Sequence, residues 1–106
     1  MAVIIADDKS FDRILGEAEY TVVDFYGDNC GGCVYMEPFF REAANDMPFI
    51  QFVKVNAPRN PVLKERFHIQ AIPDVRYFRN GQEVYGELGG MNREELNKRI
   101  AKLLYE

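Results

Sequence analysis

The chain predicts an α/β fold, a mixed central sheet with helices on both faces. Two patterns point there. Short β-branched and aromatic runs alternate with runs whose apolar residues recur at helical spacing, in the order β-α-β-α-β-α-β-β-α. Strands separated by helices imply parallel pairing through right-handed crossovers, while a late hairpin adds antiparallel strands. Composition agrees. With 47% hydrophobic and 13% aromatic residues in 106, the chain can fill one core. No repeat, linker or low-complexity stretch divides it, so residues 1–106 are expected to form one domain.

Ala2 to Ala6 reads as a short buried strand. Asp7 and Asp8 can cap a helix carrying Phe11, Ile14, Leu15 and Ala18, which Gly16 and the following polar residues end. Thr21 to Tyr26 is a β-branched and aromatic strand. Gly27 to Gly32 is a turn-rich break. A helix follows, with Val34, Met36, Phe39, Phe40, Ala43, Ala44 and Met47 apolar, a kink expected at Pro38, and Pro48 at its close. Phe49 to Val55 is a second buried strand. Asn60 and Pro61 read as cap and first residue of a short helix over Val62 to Phe67. Val75 to Phe78 and Val84 to Leu88 flank Asn80-Gly81, a strong hairpin signal. Asn92 and Glu95 form a capping-box pattern before the stripe Leu96, Ile100, Leu103, Leu104.

Several function classes are disfavoured. The net charge is −4, from 13 basic and 17 acidic side chains, so no basic surplus meets phosphates and nucleic-acid binding is not expected. The longest apolar run, Met1 to Ala6, is too short for a membrane span or a signal-peptide core, and a cytoplasmic location is expected. Two cysteines and one histidine cannot supply the four ligands of a zinc site, so no metal is expected. His68 reads as an ordinary helix-end residue.

The chemistry is expected at Cys30 and Cys33. A loop this short gains little stability from cross-linking, which leaves reactivity. Cys-x-x-Cys directly after a strand places Cys30 at a helix N-terminus, where free N–H groups and the helix dipole favour a thiolate. Cys33, one turn inside, is expected to be more buried. This suits a two-step exchange in which Cys30 attacks a partner disulfide and Cys33 resolves the mixed disulfide. Asp24 lies in a strand that should be covered on both faces. There it is either a solvated edge residue or a buried carboxyl of raised pKa under Cys33, able to take its proton. Lys54, in the neighbouring strand, is a candidate modulator of Asp24. Pro73 follows a loop and precedes a strand, a setting in which some prolines are cis.

Taken together, Val22-Val23-Asp24-Phe25-Tyr26, Cys30-Gly31-Gly32-Cys33, Pro38, Phe52-Val53-Lys54-Val55-Asn56, Ile72-Pro73, Asn80-Gly81 and Gly89-Gly90 resemble the thioredoxin family over about residues 3 to 105. The resemblance implies a five-stranded sheet with four helices and a cis peptide at Pro73 facing the disulfide. It implies Cys30 as nucleophile, Cys33 as resolving thiol and Asp24 as buried proton acceptor. Substrate backbone would dock by Ile72-Pro73 and the Gly89 turn, beside Asn29, Gly31 and Gly32. The implied function is reduction of protein disulfides by a monomer without a cofactor, recharged by a thioredoxin-reductase-type donor. A glutaredoxin-like or isomerase-like redox protein and a non-catalytic adaptor are the alternatives. Typical members carry Trp-Cys-Gly-Pro-Cys, whereas this chain has Asn29 and Gly32 at the tryptophan and proline positions and no tryptophan at all. Asp74 stands where a threonine is usual. Asp28 and Asp74 are expected to border the docking groove, to disfavour the Cys30 thiolate and to attract basic substrates.

Overall fold

The computed structural model describes residues 2–106. The elements run β1 (Val3–Ile5), α1 (Phe11–Leu15), β2 (Tyr20–Tyr26), α2 (Gly31–Asp46), β3 (Gln51–Asn56), α3 (Pro61–Arg66), β4 (Asp74–Arg79), β5 (Gln82–Leu88) and α4 (Arg93–Tyr105). The five strands form one sheet in the order β1-β3-β2-β4-β5. β3 pairs parallel with both β1 and β2, and β4 pairs antiparallel with both β2 and β5. The mixed sheet with four helices is therefore as expected.

Side-chain alternation along the strands divides the core into two layers. Val22, Phe52, Val75 and Tyr77 pack with Met36 and Phe40 of α2 and with Leu96 and Ile100 of α4. Val23, Phe25, Val53, Val55 and Phe78 pack with Phe11 and Ile14 of α1 and with Leu63 of α3. Thus α2 and α4 cover one face, α1 and α3 the other. The even-numbered positions Asp24 and Lys54 continue the rows of Val22 and Phe52 and so lie on the α2 face. In β4 the rows are offset. Asp74 and Arg76 lie opposite Val75 and Tyr77, on the α3 face.

Local signals account for most boundaries. Asn80 and Gly81 both have positive φ, 50° and 78°, as a two-residue hairpin turn requires. Asn92 and Glu95 form a reciprocal capping box. The helical assignment of α2 continues through Pro38 to Asp46. Two cap expectations are corrected. Asp7 caps the turn that leads into α1, accepting from Lys9 and Ser10 N–H. Asp8 reaches instead to α3, where its carboxylate accepts from Val62 and Leu63 N–H. Asn60 occupies the N-cap position of α3, yet its side chain bonds Asp8 N–H and the Asn56 carbonyl. The third strand begins at Gln51, not Phe49, which is exposed in the preceding turn.

Candidate active site

The end of β2 and the start of α2 set the site. Gly27-Asp28-Asn29 turns the chain out of the sheet, and Asn29 takes φ 53°, a left-handed conformation that asparagine tolerates better than most residues. Cys30 then occupies the N-cap of α2, and its Sγ accepts the Cys33 N–H at 3.2 Å. A sulfur so placed is stabilised as a thiolate by a backbone N–H and by the helix dipole. Cys30 and Cys33 are joined as a disulfide, with Cα atoms 5.2 Å apart. Cys33 is buried, with 7% exposure, and Cys30 is half-buried. Cys30 is thus the more accessible of the two cysteines, as expected.

Two further loops converge on this turn. The Ile72–Pro73 peptide is cis. A Cβ at Gly32 would lie 3.0 Å from Pro73 Cδ, so the glycine permits close packing against that proline. Gly89, at φ 96°, donates its N–H to the Pro73 carbonyl at 2.9 Å and ties the third loop to the second. A Cβ at Gly90 would stand 2.7 Å from the Gly32 carbonyl oxygen, a backbone contact that only glycine accommodates. Gly31 has open space around it. Val34 (73% exposed), Tyr35 and Leu88 are exposed apolar residues in or next to these segments.

Beneath α2, Asp24 is 1% exposed, and its Oδ1 has no hydrogen-bond partner. The solvated-edge reading is excluded. Burial pushes the Asp24 carboxyl up to about 7, with Lys54 opposing the shift and Glu37 reinforcing it. Lys54 is opposite Asp24 in the β2–β3 register. Its ammonium, however, pairs with Glu37 of α2 and lies 4.3 Å from the centre of the Tyr26 ring. Glu37 also pairs with Arg41. Burial alone would raise the Glu37 carboxyl, but Lys54 and Arg41 hold it below the ordinary range. A cleft of about 540 Å³ opens beside Cys33, lined by Tyr26, Asn29, Val34, Glu37 and Lys54 among others. Glu37 belongs to none of the sequence motifs, and Gly90 enters there only beside Gly89. Glu37 follows Cys33 by one helical turn, and that spacing could have marked it.

The expected charge of the groove is corrected. Asp74 is 4% exposed and accepts from Arg76 Nε at 2.7 Å and Nη2 at 3.0 Å. Arg76 in turn reaches Glu83 and the Phe67 carbonyl. Asp74 is thus neutralised and lies on the face of the sheet away from α2. Asp28 does line the cleft beside Cys33, as expected, but it is exposed and paired with Arg59 at 2.9 Å. Neither carboxylate stands uncompensated beside Cys30. His68 is an exposed helix-end residue at φ 54°. Among the described residues, no group of three or more His, Cys, Asp or Glu is placed to hold a metal ion, and no helix is long and apolar enough to cross a membrane.

Comparison with known proteins agrees with this geometry. The thioredoxin family model matches residues 2–102. Thioredoxin of Mycoplasmoides gallisepticum is 31% identical over 94 residues, covering 89% of this chain and 94% of that protein. Thioredoxin 1 of Plasmodium falciparum is 29% identical over 102 residues, covering 96% and 97%. A solved structure of Plasmodium falciparum thioredoxin superposes with a TM-score of 0.87 at 29% identity, covering 97% of this chain and 99% of that one. Chlamydomonas reinhardtii thioredoxin f2 gives 0.87 at 27% identity, covering 94% of each.

Proposed function

The chain belongs to the thioredoxin family, and we propose a division of labour among its residues in the thiol-disulfide exchange that the family performs. It is a thiol-disulfide oxidoreductase acting on protein disulfides. In the reduced protein, the Cys30 thiolate attacks one sulfur of a partner disulfide, and the other partner sulfur leaves as a thiolate. A mixed disulfide with Cys30 results. The Cys33 thiol then gives its proton to the Asp24 carboxylate, directly or through water, and the Cys33 thiolate attacks Cys30 Sγ. The second partner sulfur leaves, two electrons have passed to the partner, and the Cys30–Cys33 disulfide closes. The observation that carries this assignment is the Cys30 sulfur accepting a backbone N–H at the start of α2 while Cys33 is buried behind it.

Partner backbone docks along Ile72-Pro73 and the Gly89 turn, with Asn29, Gly31 and Gly32 forming the other wall. Val34, Tyr35 and Leu88 supply apolar contact where the family's tryptophan is missing. This replaces the charge-led docking expected from Asp28 and Asp74. The protein works as one domain and a monomer in the cytoplasm, carrying electrons from a thioredoxin-reductase-type donor.

Insulin-disulfide reduction with several candidate donors tests the direction of electron flow. Turnover with a reductase is expected. Turnover with glutathione alone would mark a glutaredoxin-like protein, and no turnover with any donor an adaptor. Alkylation of the reduced protein near neutral pH should label Cys30 first, and Cys33→Ser should accumulate mixed disulfides. Preferential labelling of Cys33 would reverse the two roles.

A further inference from the structure

Asp24 is buried with an open oxygen, and the cation opposite it in the register is turned elsewhere. Lys54 is held at two points, by the Glu37 carboxylate and over the Tyr26 ring. Glu37 stands one helical turn beyond Cys33, so the helix that carries the resolving thiol also carries the group that engages the lysine. Arg41, a further turn along, holds Glu37 from the exposed side. We propose that Glu37 is a positioning residue for the exchange, which acts through Lys54 by drawing its ammonium away from Asp24 and leaving that carboxyl free to exchange a proton with Cys33.

The charged and titratable groups around Asp24 are few. From β3 comes Lys54, from α2 Glu37 with Arg41 behind it, and from β4 Tyr77, which burial keeps a neutral phenol. Among the described residues, Lys54 is therefore the cation that stabilises the Asp24 carboxylate, and its distance from Asp24 is the adjustable quantity. An ammonium released by Glu37 gains most by turning to the uncompensated carboxylate, since opposite charges in a poorly solvated site attract strongly. Asp24 would then lose its proton at lower pH and become a weaker base toward Cys33. The inference rests on Asp24 accepting the Cys33 proton, and its test separates the two ideas.

The test follows the side-chain carboxyl carbon of Asp24 by NMR through a pH titration of the oxidised protein, which involves no catalysis. Four proteins are compared: the native chain, Glu37→Gln, Lys54→Met and the double variant. Glu37→Gln should lower the Asp24 midpoint by about one pH unit, and Lys54→Met should raise it. In the Lys54→Met background, Glu37→Gln should shift the midpoint much less than it does alone. An unmoved midpoint in Glu37→Gln overturns the proposal. Equal shifts in both backgrounds overturn it too, because Glu37 would then act on Asp24 directly. The acid limb of the pH profile for mixed-disulfide resolution should move with the midpoint. A shifted midpoint with an unmoved profile would remove Asp24, and with it Glu37, from the reaction.

Discussion

Asp24 and Asp74 are both nearly inaccessible carboxyls on adjacent strands, yet the two sides of the sheet treat them differently. On the α2 face, Asp24 has an oxygen with no partner, and the nearby Lys54 ammonium is engaged by Glu37. On the α3 face, Asp74 receives two guanidinium N–H groups from Arg76, itself anchored to Glu83 and the Phe67 carbonyl. Burial is common to both, so burial does not by itself decide whether a carboxyl is paired. The partner decides. A carboxyl with its own arginine is a structural ion pair, and one without is free to hold or release a proton near neutral pH.

The comparison breaks most visibly if Asp74 is deprived of its arginine. Arg76→Met should destabilise the protein by about 3–5 kcal/mol, because it leaves a buried charge without compensation. Chemical denaturation at pH 7 measures it. A loss under about 1 kcal/mol would mean that the Asp74 site is as tolerant of an unpaired carboxyl as the Asp24 site.

Asp24→Asn should act in the opposite sense. The folded-state pKa of about 7 exceeds the ordinary 3.8, so the folded protein binds a proton that the unfolded chain has released between those values. The native carboxyl therefore costs no stability at pH below about 4, and an increasing amount as pH rises to 7, roughly 4 kcal/mol in full. Asn at position 24 should remove that loss. The variant should be more stable than the native protein at pH 8 and no more stable at pH 4. Equal gains at both pH values would mean that the effect is not titration. The same variant should slow disulfide exchange about tenfold or more while keeping the fold.

Asp74→Asn should cost about 2 kcal/mol, since Arg76 keeps Glu83 and the Phe67 carbonyl as partners. It should leave the pH dependence of Cys30 alkylation in place, because Asp74 is on the other face of the sheet. A shifted alkylation profile would restore Asp74 to the docking groove. The smallest effect belongs to Asp28, whose pair with Arg59 is exposed on both sides. Asp28→Asn should change stability by less than about 1 kcal/mol, with little left at high salt.

Much of this molecule is legible in short stretches of sequence. The Asn80-Gly81 turn, the Asn92/Glu95 box and the Cys30 cap each involve residues within a few positions, so local backbone geometry decides them. Strand alternation reaches further. It places Asp24 with Val22 and Lys54 with Phe52, and the same rule sets Asp74 apart from Val75. Only the folded sheet showed which helix covers each row, and so which carboxyl lies on the α2 face.

Partner choice was decided by tertiary structure alone. Asp8 caps a helix 55 residues away at Leu63, although it reads as a cap for the next helix. Lys54 faces Asp24 in the register, yet its ammonium goes to Glu37, 17 residues earlier. A flexible charged side chain can reach any of several partners within its radius, and the fold sets which are within reach. The order of elements and the reactive cysteine pair follow from local pattern and turn chemistry, which operate before the chain has collapsed. The protonation and pairing of the buried charges follow from distances that exist only after it has.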